Sequence, residues 1–103
     1  MGDELEIKCT VDGDEATFVL EGNLSTISSP YLKDAIDKLD GVSNIVVDIS
    51  AIDYISEAGF ELLAAVRDDL AAAGGSLAIV HPNDILSDMI EDLGLAEQFK
   101  IVK

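Results

Sequence analysis

A hydroxyl and a carboxylate, those of Ser56 and Glu57, stand side by side where a strand-like pattern gives way to a helical one. The apolar run at residues 45–49 predicts a buried strand, and a helical pattern begins after Ile55. The first turn of a helix carries unpaired backbone N–H groups and the positive end of the helix dipole, so it favours negative charge. The chemistry predicted for this junction is therefore the stabilisation of a negative charge.

Other residue types that carry chemistry are too few or too scattered to build a reactive site. His81 is the only histidine and Cys9 the only cysteine, and they are far apart in the sequence. Neither a metal centre nor a catalytic triad is predicted. No glycine-rich phosphate loop is present, and no pair of carboxylates has a spacing that specifies a reaction. We expect no enzyme activity and no cofactor, and we expect Cys9 to be a small core residue of a strand.

Size and charge limit the remaining classes of protein. The chain has 103 residues, which suits a single domain over residues 1–103, and 49% of them are hydrophobic. The formal charge is −15, from 21 acidic and 6 basic residues. This charge disfavours binding to nucleic acids and to anionic membranes. It is explained either by an acidic face that steers a basic partner or by solubility and adaptation to salt. The short apolar runs and the acidic N-terminus predict a cytoplasmic protein without a transmembrane helix.

The periodicity of the apolar residues predicts strands that alternate with helices after an initial hairpin. The run 21–24 interrupts the second strand, Ser28 or Ser29 caps the first helix, and the continuous apolar residues of the third strand indicate cover on both faces. Residues 99–102 are either a short edge strand or a tail. The order implies an α/β fold with a mainly parallel sheet. The predicted strands lie at about 5–11, 16–20, 44–49 and 77–80, and the predicted helices at about 30–39, 56–73 and 85–93.

The junction Ile55-Ser56-Glu57-Ala58-Gly59 resembles the signature of STAS domains, the anti-sigma factor antagonist family. Three weaker marks in the same order support the resemblance, which covers nearly the whole chain. The resemblance implies a STAS-like α/β fold, with a mixed sheet of four to five strands and helices packed mainly on one face. The supporting marks are Glu21-Gly22-Asn23-Leu24 before the first helix, Gly74-Gly75 after the second and Leu93-Gly94-Leu95 near the end.

In that family the residue two places before the glycine is a serine that serves as the phosphorylation switch, and here this position is Glu57. The unphosphorylated family member binds an anti-sigma factor and the phosphorylated one releases it. Three interpretations stay open. Glu57 partly imitates a phosphoserine, with one charge instead of nearly two; or the domain is a constitutive module; or Glu57 only stabilises the helix. Ser56 is expected to be the N-cap of the second helix. The alternative, phosphorylation of Ser56, is disfavoured because it would crowd two negative groups together beside Asp53.

The resemblance also implies which residues bind a partner. The loop before the first helix lies beside the switch loop in the family, although capping and turn chemistry also explain its Ser and Thr residues. The leading hypothesis is a non-enzymatic regulatory module that engages an anti-sigma factor, often a serine kinase. The alternative is a stand-alone STAS subunit of an ABC-type lipid transporter. Gly59 would allow close approach of helix and sheet or of a partner backbone. The predicted partner-binding residues are Asn23, Ser25, Thr26, Asp53, Tyr54, Ser56, Glu57, Ala58 and Gly59.

Overall fold

The elements follow the predicted order in the computed structural model, which describes residues 5–39, 41–92, 94 and 99–102. Residues 99–102 contain a short strand, so the strand alternative for this segment is confirmed. Leu93 and Leu95, which belong to one mark of the family resemblance, lie outside the described residues. The strands are β1 (Leu5–Asp12), β2 (Glu15–Leu24), β3 (Asn44–Ile55), β4 (Ser76–Val80) and β5 (Lys100–Val102), and the helices are α1 (Ser29–Asp37), α2 (Glu57–Ala72) and α3 (Asp84–Asp92).

The strands form one mixed sheet in the order β1-β2-β3-β4-β5. β1 and β2 are antiparallel and joined by a tight turn, in which Gly13 has a φ of 63°. The other three pairings are parallel. The carboxyl ends of β2, β3 and β4 therefore meet at one edge of the sheet, and α1, α2 and α3 each begin just beyond it. We call this the carboxyl edge.

The helices cover one face of the sheet, which confirms the prediction for the helical layer. Side chains on alternate positions of the three central strands are buried and form one core with residues from all three helices. The intervening positions of β3, Val46 and Asp48, are only partly buried. The prediction that the third strand is covered on both faces was therefore wrong, because an apolar run does not show which face the helices leave open. The core includes Phe18, Leu20, Ile45, Val47, Ile49, Ile79, Leu32, Leu63, Val66, Leu86 and Ile90.

Cys9 is exposed, so the prediction that it lies in the core was wrong. It pairs with the buried Phe18 of β2, and side chains of directly opposed residues share a face of the sheet. The strand alternation therefore indicated the correct face. β1 is an edge strand, however, and only its first half is covered by the core. Leu5 and Ile7 pack partly against the core, whereas Cys9 and Val11 are exposed.

Two of the strands that lead to the carboxyl edge, β2 and β3, extend further towards it than predicted. β2 does not stop at Glu21 but continues to Leu24, with register shifts against β3 between Val19 and Glu21 and between Gly22 and Asn23. Such irregularities bend a strand without ending it. β3 correspondingly runs past Ile49 and reaches Ile55. The extra length places the two loops that follow these strands next to each other. Among the described residues no helix is long and apolar enough to cross a membrane.

Candidate functional site

α2 begins at the predicted junction and is capped as predicted. Ser56 is its N-cap residue, with extended backbone, and the Ser56 Oγ accepts a hydrogen bond of 3.2 Å from the backbone N–H of Gly59. Glu57 is the first residue of the helix and its side chain is exposed. The junction therefore presents one fixed negative charge to solvent at the positive end of a 16-residue helix.

Gly59 is the point at which α2 touches the sheet. It is buried, and a Cβ atom added to it would lie 2.8 Å from the carbonyl oxygen of Leu24 and 2.9 Å from the Cγ2 of Ile55. The same Leu24 carbonyl accepts a 2.8 Å hydrogen bond from the backbone N–H of Ser56. Of the two roles expected for Gly59, the close approach of helix and sheet is the one that the structure contains. This contact fixes the start of α2, and with it the position of Glu57.

The loop before α1 is held together by its own serine residues. Ser28 is fully buried; its hydroxyl donates to the carbonyl of Asn23 at 2.7 Å and accepts from the backbone N–H of Ser25 at 2.8 Å. Ser28 occupies the N-cap position of α1, as predicted, and Pro30 lies in the first turn. The expected capping bond is absent, however, because the hydroxyl points back into the loop. Hydrogen bonds within the loop thus explain why serine occupies positions 25 and 28.

The two loops meet because Asn23 pairs with Tyr54 across β2 and β3. The structure therefore brings the predicted partner-binding residues to one edge but does not expose them equally. Tyr54, whose orientation strand alternation left open, is 49% exposed. The exposed members are Thr26, Asp53, Tyr54 and Glu57; Asn23, Ser25, Ser56 and Ala58 are partly buried, and Gly59 is buried.

Sequence reasoning missed two apolar residues at the same edge. Ile27, in the loop before α1, is 62% exposed, and Tyr31, in the first turn of that helix, is 64% exposed. Both side chains are exposed, whereas Leu32, which follows Tyr31, is fully buried. The sequence signal that could have revealed them is that Ile27 and Tyr31 are apolar but do not belong to the predicted core stripe of the first helix. We call the exposed residues of this edge, Thr26, Ile27, Tyr31, Asp53, Tyr54 and Glu57, the carboxyl-edge surface.

The carboxyl-edge surface offers charge and contact area instead of reactive groups. Among the described residues, no three of His, Cys, Asp and Glu are arranged to hold a metal ion. Every buried side-chain polar atom in the described part of the chain has a hydrogen-bond partner, so none is left aimed at a ligand. His81 lies in the loop after β4, as predicted, and its backbone N–H donates to the carbonyl of Val102 at 2.8 Å, which holds the end of β5.

Comparisons with known proteins agree with this architecture. The family described as STAS domain matches residues 6–103. No curated protein sequence matches the chain significantly. An anti-sigma factor antagonist from Mycobacterium paratuberculosis superimposes with a TM-score of 0.85 at 20% identity, over 99% of this chain and 88% of the other. The antagonist SpoIIAA in its unphosphorylated form gives 0.79 at 14% identity, over 97% and 89%. The phosphorylated form of SpoIIAA, a Bacillus cell fate determinant, gives 0.72 at 14% identity, over 97% and 92%.

Proposed function

This chain belongs to the STAS domain family, and from that premise we propose that it is a non-enzymatic regulatory module of the anti-sigma factor antagonist type. In this proposal it engages an anti-sigma factor of the serine kinase type through the carboxyl-edge surface. Such a module acts in the cytoplasm on transcription. The observation that carries the proposal is Glu57, an exposed charge at the first residue of a helix whose start is fixed by the Ser56 cap and by the Gly59 contact.

The surroundings of Glu57 support a protein partner. Ile27, Tyr31 and Tyr54 leave about half or more of their surface in water, at 62, 64 and 49% exposure. Apolar and aromatic side chains grouped around a polar group are typical of protein interfaces, in which tyrosine is enriched. Four of the seven large apolar residues exposed in the described part of the chain, these three and Ile85, lie at the carboxyl edge or on segments that follow it. A partner covering this edge would bury them.

We further propose that Glu57 imitates the phosphorylated state and weakens binding to the kinase. The position has no hydroxyl to phosphorylate. The neighbouring Ser56 hydroxyl is the N-cap and accepts from the Gly59 N–H, and a phosphate on Ser56 would stand directly beside the like charge of Glu57. A carboxylate supplies one charge where a phosphate supplies nearly two, so the imitation is partial. The expected phenotype is an antagonist held in its released form.

The test is affinity capture from a lysate of the source organism with three forms of the protein: wild type, Glu57→Ser and the control Asp69→Ser. Asp69 is an exposed acidic residue of the same helix, well away from its N-terminus. We expect Glu57→Ser to capture a serine kinase of the anti-sigma type at least about tenfold more efficiently than the other two forms. Incubation of the captured kinase with ATP should then phosphorylate the substituted position, which mass spectrometry detects.

Two outcomes would contradict the proposal. If the wild type and Glu57→Ser capture the same kinase equally, Glu57 does not imitate a phosphate. If both capture an ABC-type ATPase and no kinase, the chain serves as a transporter subunit and the antagonist assignment fails.

A further inference from the structure

A wide groove runs between α2 and α3, starts at the carboxyl edge, and has a volume of about 870 Å³. Its floor is apolar and includes the buried side chains of Ile55, Phe60 and Phe99. Ile85 lies on its α3 side and is 65% exposed, although it is a large aliphatic residue. The guanidinium carbon of Arg67 lies 5.1 Å from the centroid of the Phe99 ring. The floor of the groove is therefore apolar, with a cation packed on one of its rings.

Both walls of this groove carry carboxylates at the same spacing. Glu57 and Glu61 lie four residues apart on α2, and Asp88 and Asp92 lie four residues apart on α3. Four residues advance a helix by about 6 Å, close to one turn, so each wall carries a pair of neighbouring negative charges. None of the four carboxylates makes an ion pair within the described residues.

Repulsion within these pairs opposes helix formation, because like charges four residues apart destabilise a helix. Glu57 is favoured at the start of α2 by the helix dipole, but the i,i+4 pairing of like charges itself does not stabilise either helix. Their negative field disfavours anionic ligands in the groove. Nucleotides, nucleic acids and anionic lipids would bring phosphate charge between four carboxylates. The charge and the apolar floor together fit a ligand that is apolar along its middle and cationic along both sides.

We propose that this acidic groove binds an amphipathic α-helix of a partner protein, with an apolar stripe on the floor and Lys or Arg side chains on both flanks. The side chains along each flank of a helix recur about once a turn, which is the spacing of the carboxylates on each wall. Apolar contact with the floor supplies affinity, and the flanking charges select the partner and speed the encounter.

The inference extends the proposed function, since the groove and the carboxyl-edge surface share Tyr54 and Glu57. Because Glu57 is proposed to weaken binding to the kinase, the basic helix in the groove would belong to a different partner, one that the charge of Glu57 favours. The test substitutions are therefore put at Glu61 and Asp88, outside the carboxyl-edge surface. If they have no effect, only the groove proposal fails, and the role of Glu57 stays open to its own experiment.

The probe is a synthetic helical peptide of about 18 residues made of Leu and Lys, ordered so that Leu forms one stripe, long enough to be partly helical before binding. A peptide of the same composition, reordered so that no stripe forms, is its control. Titration into the isotope-labelled protein, followed by amide chemical shifts, gives the dissociation constant and the residues affected. We expect the striped peptide to shift the amides of α2 and α3 and to bind at least about tenfold more tightly than the reordered one.

Two charge-reversal variants separate the groove from the overall acidity of the chain. Glu61→Lys with Asp88→Lys changes the groove, whereas Asp12→Lys with Asp14→Lys makes the same change of charge at the exposed hairpin turn. The groove variant should lose at least about tenfold in affinity and the hairpin variant less than about threefold. Equal binding of the two peptides, equal losses in the two variants, or shifts spread outside α2 and α3 would each overturn the proposal.

Discussion

Replacing Gly59 by alanine tests whether the contact between α2 and the end of β2 is as close as the structure has it. The added Cβ would lie 2.8 Å from the carbonyl oxygen of Leu24, 2.9 Å from the Ile55 Cγ2 and 3.0 Å from the Leu24 Cγ. Such contacts are too short for carbon, and the first involves backbone, which cannot rotate away. We therefore expect Gly59→Ala to destabilise the protein and to displace the start of α2.

The size of the effect follows from opposing contributions. Overpacking a core costs about 1–3 kcal/mol. Moving α2 away to relieve the clash would weaken the hydrogen bond from the Ser56 N–H to the Leu24 carbonyl, now 2.8 Å long, which contributes about 1 kcal/mol. Alanine inside a helix recovers about 0.5–1 kcal/mol relative to glycine. The net expectation is a decrease of about 1–2 kcal/mol in the free energy of unfolding, equivalent to about 5–15 °C in Tm.

The assay is urea unfolding followed by circular dichroism, with the slope of the transition compared between variants. Ala65→Gly is the matched control, because Ala65 is exposed in the middle of the same helix and reports the helix preference alone, at a cost of about 1 kcal/mol. If Gly59→Ala instead stabilises the protein by about the amount that Ala65→Gly destabilises it, the site has room for a methyl group. The argument that this glycine fixes α2 would then be refuted.

Three further predictions concern the loops and the overall charge. Ser28→Ala should lower the free energy of unfolding by about 1–3 kcal/mol, because the fully buried Ser28 hydroxyl donates to the Asn23 carbonyl at 2.7 Å and accepts from the Ser25 N–H at 2.8 Å, and both hydrogen bonds are lost; a change under about 0.5 kcal/mol in urea unfolding would contradict this. Asn83→Asp should cost more than about 1 kcal/mol in the same measurement, because Asn83 Nδ2 donates to the Ile52 carbonyl at 2.6 Å and a carboxylate cannot donate; equal stability of the two proteins would show that this bond contributes nothing. Raising the salt concentration from about 0.01 M to about 1 M should raise the Tm in calorimetry. The negative charges of this protein, formally −15, repel one another less when the Debye length falls from about 30 Å to about 3 Å. A Tm that stays constant or falls would show that charge repulsion does not limit the stability of the fold.

Local patterns were sufficient to predict the junction at Ser56. Its capping bond joins residues within one helical turn, so the local sequence was enough to predict it. The order of strands and helices was predictable for the same reason. The face of Cys9 was also predictable, but its exposure was not, since exposure depends on how far the helical layer extends over the edge strand.

Features that depend on two segments of chain could not be predicted. The continuation of β2 through Gly22 depends on register shifts against β3, which begins twenty residues later. The direction of the Ser28 hydroxyl depends on where the Asn23 carbonyl lies. The acidic groove requires α2 and α3 to lie side by side, and its carboxylate spacing is visible in the sequence only once that arrangement is known.

The sequential order of the strands has a consequence for how the chain reaches this structure. Each strand after the first pairs with the strand that precedes it in the sequence, and no strand is inserted between two others. During synthesis, every new strand can therefore add to the edge of a sheet that already exists, and none has to wait for a later segment to create its neighbour. Only the hairpin joins segments close in sequence, however; the three parallel pairings each close a crossover that contains a helix, which raises the contact order and slows folding. The sheet can grow on the ribosome from the hairpin outwards, and the junction that carries Glu57 is in place before β5 closes the far edge.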